Sequence, residues 1–209
     1  MSKKPSWFYF FIKRAFDLIG SALAMILLSW LFAIIAIRIL MEDGRPVIHP
    51  RICVGKGGKE YKMYKFRTMY KDANNLEKYL TPEQIEQYKR EVKVDNDPRI
   101  LKSGHFLRRA SLDELPQLAT IFLSNMSFIG PRPMVEEESY LYGEYRDEIM
   151  QVKPGLTGYW QVNGRSDCTF ESGGRQKLEL YYARNRSLWL DTKIFFKTFV
   201  VVLKKEGAR

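Results

Sequence analysis

Leu18 to Ile37 contains no charged residue, and no other feature of this 209-residue chain narrows its fold as much. As a helix rising 1.5 Å per residue it is about 30 Å long, close to the hydrocarbon thickness of a bilayer. A core helix of a soluble protein can be as apolar, but the length and the flanks point to membrane insertion. Phe8 to Ile12 adds an aromatic patch before Lys13-Arg14. Arg38 and "MEDGRP" follow the run in place of a small-residue cleavage site, which argues against a cleaved signal peptide. Lys3, Lys4, Lys13 and Arg14 precede the run, and Arg38, Arg45 and Arg51 follow it. Both flanks therefore qualify as cytoplasmic by the positive-inside rule. A re-entrant helix satisfies both flanks; a spanning helix satisfies one. Ser29, near the middle, can take a backbone hydrogen bond at a bend. Residues 1–45 are thus expected to form a re-entrant membrane element, and residues 46–209 a cytosolic domain.

Hydrophobic residues make up 45 % of the chain, enough for a core, and the formal net charge is +10. Such a balance suits nucleic acid, anionic lipid or a phosphorylated small molecule, and charge alone does not choose among them. Cys53 and Cys168 are too far apart to suggest a disulfide framework or paired metal ligands, and read as reduced thiols. His49 and His105 are isolated and read as turn or surface residues. "GKGGKE" lacks the spacing of a phosphate-binding loop.

The expected fold class is α+β: the re-entrant helix, then a compact, mostly helical domain with a small β-hairpin and interfacial amphipathic helices. "GKGGKE" reads as the hairpin turn. In "EYKMYKFRTM" strand alternation puts Tyr61, Met63, Lys65 and Arg67 on one face, so that Lys65 and Arg67 reach one anion together. Thr81, Pro82 and Gln84 read as a capping box opening a polar helix. "DNDPRI" ends that helix. Ser111 to Glu114, "SLDE", reads as a second capping box, which Pro116 complicates. Arg14 is spaced to pair with Asp17, and Lys13 and Arg14 read as interfacial anchors. The C-terminal third reads as an amphipathic aromatic helix pair. Phe195, Phe196, Phe199 and Val200 lie at helical spacing among Lys193, Lys197, Lys204 and Lys205, which suits either a membrane interface or a core helix.

The chemistry concentrates between Leu107 and Pro133. Two adjacent carboxylates, Asp113 and Glu114, stand between Arg108-Arg109 and Arg132. Arginines hold phosphate through forked, charge-assisted hydrogen bonds, and a carboxylate can attack phosphorus or hold a divalent metal. A glycoside hydrolase also uses two carboxylates, but about 5–10 Å apart across the sugar. A basic nucleic-acid-binding protein explains the charge and leaves the apolar run and the paired acids unexplained. A catalytically silent membrane scaffold leaves an intact "LDELPQ" without purpose.

These segments, in this order, resemble a known family. "KRAFD" at Lys13 to Asp17, "YKFRTM", Asp97-Pro98-Arg99, "LDELPQ", "GPRP" and "PGLTGYWQVNGR" are similar to the bacterial sugar transferases, the small monotopic polyprenyl-phosphate phosphoglycosyl transferases that initiate glycan assembly. The likeness runs from about Lys13 to Lys204. It implies transfer of a sugar-1-phosphate from a UDP-sugar to undecaprenyl phosphate at the inner face of the bacterial cytoplasmic membrane, with release of UMP. It implies Asp113 as the nucleophile of a covalent phosphosugar intermediate. It also implies Mg²⁺ on Glu114 and Asp113 beside the diphosphate, Glu114 pointing about 100° from its neighbour if the segment is helical. Lys65, Arg67, Arg108, Arg109 and Arg132 would offset the repulsion between two anionic substrates, and Gln161, Arg165 and Asp191 would contact the donor.

The resemblance implies partners that include membrane lipid and no nucleic acid; a homodimer is compatible but no residue points to it. Without a larger N-terminal membrane region, the chain reads as the minimal catalytic form. "TGYWQVNGRS" and "NRSLWLD" favour galactose or glucose over an N-acetylated sugar. Three departures stand out: Ser29-Trp30 where the family has Ser-Pro, Glu179 where it commonly has Asp, and an irregular "FESGGRQK".

Overall fold

In the computed structural model, residues 5–91, 94–164 and 168–204 are described. Two long helices come first, α1 (Trp7–Leu27) and α2 (Ser29–Asp43). A hairpin of β1 (Ile48–Val54) and β2 (Glu60–Phe66) follows, turning through Lys56–Gly58. Then come α3 (Leu76–Tyr79), α4 (Pro82–Glu91), α5 (Lys102–Arg109) and α6 (Gln117–Phe122). The remainder is β3 (Ser127–Ile129), α7 (Glu136–Ser139), α8 (Arg146–Ile149), β4 (Gly155–Thr157), α9 (Tyr159–Asn163), α10 (Gly174–Asn185) and α11 (Leu188–Lys204). The mixed, mainly helical class matches the expectation, as do the hairpin and the C-terminal helix pair.

The chain divides into two compact units, each drawn from separate stretches of sequence: residues 1–27, 50–63 and 117–209 in the first, and 28–49 with 64–116 in the second. The division at residue 45 concerns the membrane, and packing does not follow it.

In the first unit, α1 is inside-out. Its inward stripe is polar, with Tyr9, Asp17 and Ser21 buried and Lys13 half-buried, four residues apart. Its outer face is apolar, with Trp7, Ile19, Leu23, Ile26 and Leu27 exposed. Each polar residue has a specific partner. Lys13 Nζ lies 2.7 Å from Asp191 Oδ2. Asp17 Oδ1 accepts the Ser127 hydroxyl at 3.0 Å and the Phe128 N–H at 2.9 Å. Arg14 donates to the last carbonyls of α6, Ile121 O at 3.1 Å and Phe122 O at 2.9 Å. The expected Arg14–Asp17 pair is thus replaced. A helix whose exposed side is apolar offers no gain from pairing its own charges there, and each charge turns instead to a partner on another element. Lys13 is likewise a core tie and not a simple interfacial anchor.

A short parallel pairing centres this unit. Ser127 stands opposite Gly155, and Ile129 opposite Thr157. At its end the main chains cross closely: a Cβ on Gly130 would lie 2.2 Å from Lys153 O, and one on Gly155 2.1 Å from Gly130 N. Ile129, Val152, Val162, Tyr182, Ala183 and Ile194 form the adjoining core. In α11, Ile194 is buried and Phe195 packs on that core, while Phe196, Phe199 and Val200 are exposed. The core reading thus holds for one face of the helix, and the other face is exposed and apolar.

The second unit is built on Ile35, Ile39, Phe66, Leu101 and Leu107. α2 contributes the first two and exposes Trp30, Ile34, Ile37 and Met41. The Thr81–Gln84 capping box forms as expected: Thr81 N–H donates to Gln84 Oε1 at 3.1 Å, and Gln84 N–H to Thr81 Oγ1 at 3.3 Å. Asp97 and Arg99 form a buried ion pair at 2.6 Å. No single described helix is long and apolar enough to cross a membrane; α1 and α2 pass that test together and are bent by 61° at the break. The break falls at Leu28, next to Ser29.

Candidate active site

The carboxylate pair is carried by a tight turn in the second unit, and the chain is led into it rigidly. α5 has no side-chain cap of its own. Glu42, at the end of α2, supplies one, its carboxylate accepting the N–H groups of Lys102 at 2.5 Å and Ser103 at 3.2 Å. Gly104 sits against the main chain of Thr68, where a Cβ would lie 2.2 Å from the Thr68 carbonyl oxygen. At the far end of α5, Arg108 Nε donates to Thr68 Oγ1 at 2.9 Å. Ser111 then reverses the chain with φ +54°, and Leu112–Glu114 form one 3-10 turn. The expected "SLDE" capping box does not form, because Ser111 takes the left-handed conformation and makes no side-chain cap bond. Leu112 and Leu115 pack on the core.

Lys65, near the end of β2, meets both acids. Its Nζ lies 2.8 Å from Glu114 Oε1 and 3.9 Å from Asp113 Oδ2. The Asp113 side chain is 14 % exposed and that of Glu114 34 %. Burial raises the Asp113 carboxyl above the ordinary carboxylate range, the Glu114 charge adds to this, and Lys65 and Arg108 oppose it. The outcome is a desolvated carboxylate beside two cations, with a second carboxylate next to it. Such a group can attack an electrophile that brings negative charge of its own.

The donor set also suits a hard cation. Among the described residues there is no group of three or more potential metal-ligating side chains. The two carboxylates of Asp113 and Glu114 are the share Mg²⁺ usually takes from a protein when substrate phosphates supply the rest. Lys65 would have to yield Glu114 Oε1 to it.

Arg67 departs from expectation. It is 5 % exposed, and all five of its N–H donors are used: Nε by Pro46 O, Nη1 by Asp43 Oδ2 and Met69 O, Nη2 by the carbonyls of Asp43 and Gly44. A guanidinium so saturated has nothing left for an anion. The strand ends at Phe66, and the alternation that paired Arg67 with Lys65 ends with it. Arg109 is exposed at the end of α5.

The other expected contacts belong to the first unit. Asp191 is 7 % exposed and accepts from Lys13, from Tyr9 Oη at 3.0 Å and from Tyr182 Oη at 2.7 Å. Its oxygens tie α1, α10 and α11 together and are not open to a donor. Arg132 is half-buried, its guanidinium 5.9 Å from the Trp160 ring and its N–H donating to Glu179 Oε1 at 3.0 Å. Gln161 Oε1 is buried without a hydrogen-bond partner among the described residues. Arg165 lies outside the described residues.

Thr68, Glu42 and Asp43 were not legible as parts of this assembly. Their partners are up to some sixty positions away, and local pattern carries no sign of them.

Residues 8–205 match the family model described as bacterial sugar transferase. The chain is 42 % identical over 201 residues to the UDP-galactose-lipid carrier transferase of Erwinia amylovora, covering 95 % of this chain and 42 % of that protein. It is 38 % identical over 199 residues to the exopolysaccharide production protein ExoY of Rhizobium meliloti, covering 94 % and 87 %. It is 36 % identical over 193 residues to the UDP-glucose:undecaprenyl-phosphate glucose-1-phosphate transferase of Escherichia coli, covering 90 % and 39 %. The chain thus spans less than half the length of the first and third of these relatives, and most of ExoY. A family match over nearly all of its length, with relatives 36–42 % identical across it, makes this chain a member of the bacterial sugar transferase family.

Proposed function

We propose that this protein transfers a sugar-1-phosphate, galactose or glucose, from a UDP-sugar to undecaprenyl phosphate and releases UMP, as a first membrane step of surface-glycan assembly. The observation that carries the reading is the enclosed Asp113 carboxylate, with Lys65 and Arg108 beside it and Glu114 adjacent. The names of the relatives, which include a UDP-galactose-lipid carrier transferase and a UDP-glucose:undecaprenyl-phosphate glucose-1-phosphate transferase, support the substrate class.

An Asp113 oxygen attacks the β-phosphorus of the donor. The bond from that phosphorus to the oxygen bridging the two phosphates breaks, and UMP leaves with the electron pair. A phosphate oxygen of undecaprenyl phosphate then attacks the same phosphorus, and Asp113 departs as a carboxylate. Splitting the transfer in two lets one enzyme handle a soluble donor and a lipid acceptor in turn. Lys65, Arg108 and Arg132 offset the charge of the diphosphate, each preorganised donor of this kind contributing about 3 kcal/mol in the transition state. Mg²⁺, held by Glu114 and Asp113, would neutralise charge on the leaving nucleotide.

The setting is the cytoplasmic membrane, with α1 and α2 as a re-entrant pair. The apolar outer faces of both helices, the 61° bend and the cationic flanks support this.

The test is nucleotide release. Protein in nanodiscs with Mg²⁺ and undecaprenyl phosphate is offered UDP-galactose, UDP-glucose and UDP-N-acetylgalactosamine. UMP is expected, and D113N should release none while remaining folded. Release of UDP would mean ordinary glycosyl transfer and overturn the mechanism.

A further inference from the structure

Among the described residues, Glu179 is the only acidic side chain that is fully buried, with 0 % exposure. It stands on α10, within the first unit. Its Oε1 accepts the main-chain N–H of Arg132 at 3.0 Å. Its Oε2 has no hydrogen-bond partner among the described residues. One turn earlier on the same helix, Arg175 is also buried. Its guanidinium lies between aromatic rings, 4.1 Å from the Phe170 centroid and 4.4 Å from that of Trp160. Its Nε and Nη2 are likewise unpartnered among the described residues.

Leaving a buried polar atom unpaired costs about 1–3 kcal/mol, and more for a charged group. A fold that needed only a filled core would place apolar side chains here. What the arrangement does supply is a fixed acceptor for one N–H, that of the residue between Pro131 and Pro133. The two prolines hold φ on either side of Arg132, and the Glu179 bond fixes the segment against α10. The Trp160 ring that stacks on Arg175 also lies 5.9 Å from the Arg132 guanidinium.

We propose that Glu179, with Arg175 as its counter-charge, is a positioning residue for Arg132: it clamps the Pro131–Pro133 main chain and thereby sets where the Arg132 guanidinium meets the donor diphosphate. The inference rests on the proposed role of Arg132 toward the donor.

Burial pushes the Glu179 carboxyl up to about 7, the Arg132 N–H and the charges of Arg175 and Arg132 opposing the rise. The groups facing it are Arg175 on its own helix, Arg132 after β3, and Tyr142 from Tyr140–Tyr145, whose hydroxyl is held in the neutral form by burial. The clamp is strongest with Glu179 ionised, since an anionic acceptor makes the stronger bond. It therefore weakens as pH falls below about 7.

The test measures KM for the donor and for undecaprenyl phosphate separately, in nanodiscs, with whichever of UDP-galactose, UDP-glucose and UDP-N-acetylgalactosamine gives the most UMP. E179A should raise donor KM about tenfold or more and leave acceptor KM within twofold. E179Q keeps an acceptor for the Arg132 N–H and fills the same volume, so it serves if E179A fails to fold. It should raise donor KM less, and remove the increase in donor KM that the wild type shows between pH 8 and pH 6. In the R132A background, E179A should add nothing to donor KM, which a merely structural role would not produce. If R132A raises donor KM while folded E179A and E179Q match the wild type, the positioning role is wrong and the role of Arg132 stands. If R132A itself leaves donor KM unchanged, or no donor yields UMP, both fall.

Discussion

The ammonium group of Lys65 lies 2.8 Å from Oε1 of Glu114 and 3.9 Å from Oδ2 of Asp113, so the cation binds the neighbour of the proposed nucleophile more closely than the nucleophile itself. A lysine in full contact with Asp113 would hold the attacking electrons too tightly. At the longer distance it still favours the ionised form, against the burial that disfavours it.

That balance has a measurable sign. The Asp113 carboxyl titrates above its ordinary value, and only the ionised form attacks phosphorus. Activity should therefore be lost as pH falls through a point above the usual carboxylate range. K65M removes a charge that lowers this point, so the acid limb of kcat/KM should move to higher pH, with a lower plateau. An acid limb that stays put, or moves down, would exclude Lys65 from the electrostatics of Asp113.

Glu114 carries the more exposed carboxylate of the pair. E114Q keeps the shape and removes the charge. UMP release by E114Q should need at least tenfold more Mg²⁺ for half-maximal rate, or fail altogether. A Mg²⁺ titration that overlays the wild type would remove Glu114 from metal binding.

Asp43 faces a guanidinium that is nearly inaccessible to solvent, and it also accepts the Lys71 N–H at 2.7 Å. D43A would leave the Arg67 charge buried without a counter-ion, at a cost of about 3 kcal/mol. For a chain of this size that corresponds to roughly 6–12 °C in melting temperature. A wild-type melting curve for D43A would show that the saturated guanidinium needs no anion.

Tags placed at the N-terminus and just after residue 45 should both be reached from the cytoplasm, since the bend at Leu28 sits between two positively flanked ends. Protection of one tag and exposure of the other would mean that α1 and α2 together cross the bilayer.

Local chemistry was the legible part of this chain. The capping box at Thr81 needs only residues three apart, and the hairpin around Gly57 and Gly58 only a turn between alternating strands. The adjacency of Asp113 and Glu114 is visible by inspection. Arg67 was misplaced because its partners lie at Asp43 to Pro46, and no period in "YKFRTM" records them. Asp191 was misplaced for a similar reason: Lys13 and Tyr9 reach it from the opposite end of the chain. The β3–β4 pair, three residues in each strand, is too short to show an alternation. Helix α1 also conceals a polar stripe that leads into the apolar run, since every fourth residue from Tyr9 to Ser21 turns inward, and its partners lie far along the chain.

The crossing of main chains at Gly130 and Gly155 restricts how a sequence of this kind can drift. With oxygen and nitrogen atoms about 2 Å from where a first side-chain carbon would stand, neither position can accept even alanine without separating β3 from β4. The segment that carries Arg132 starts at this crossing. A change in what this segment contacts cannot be introduced at those two sites, and must arise in the side chains presented around an unchanging strand crossing.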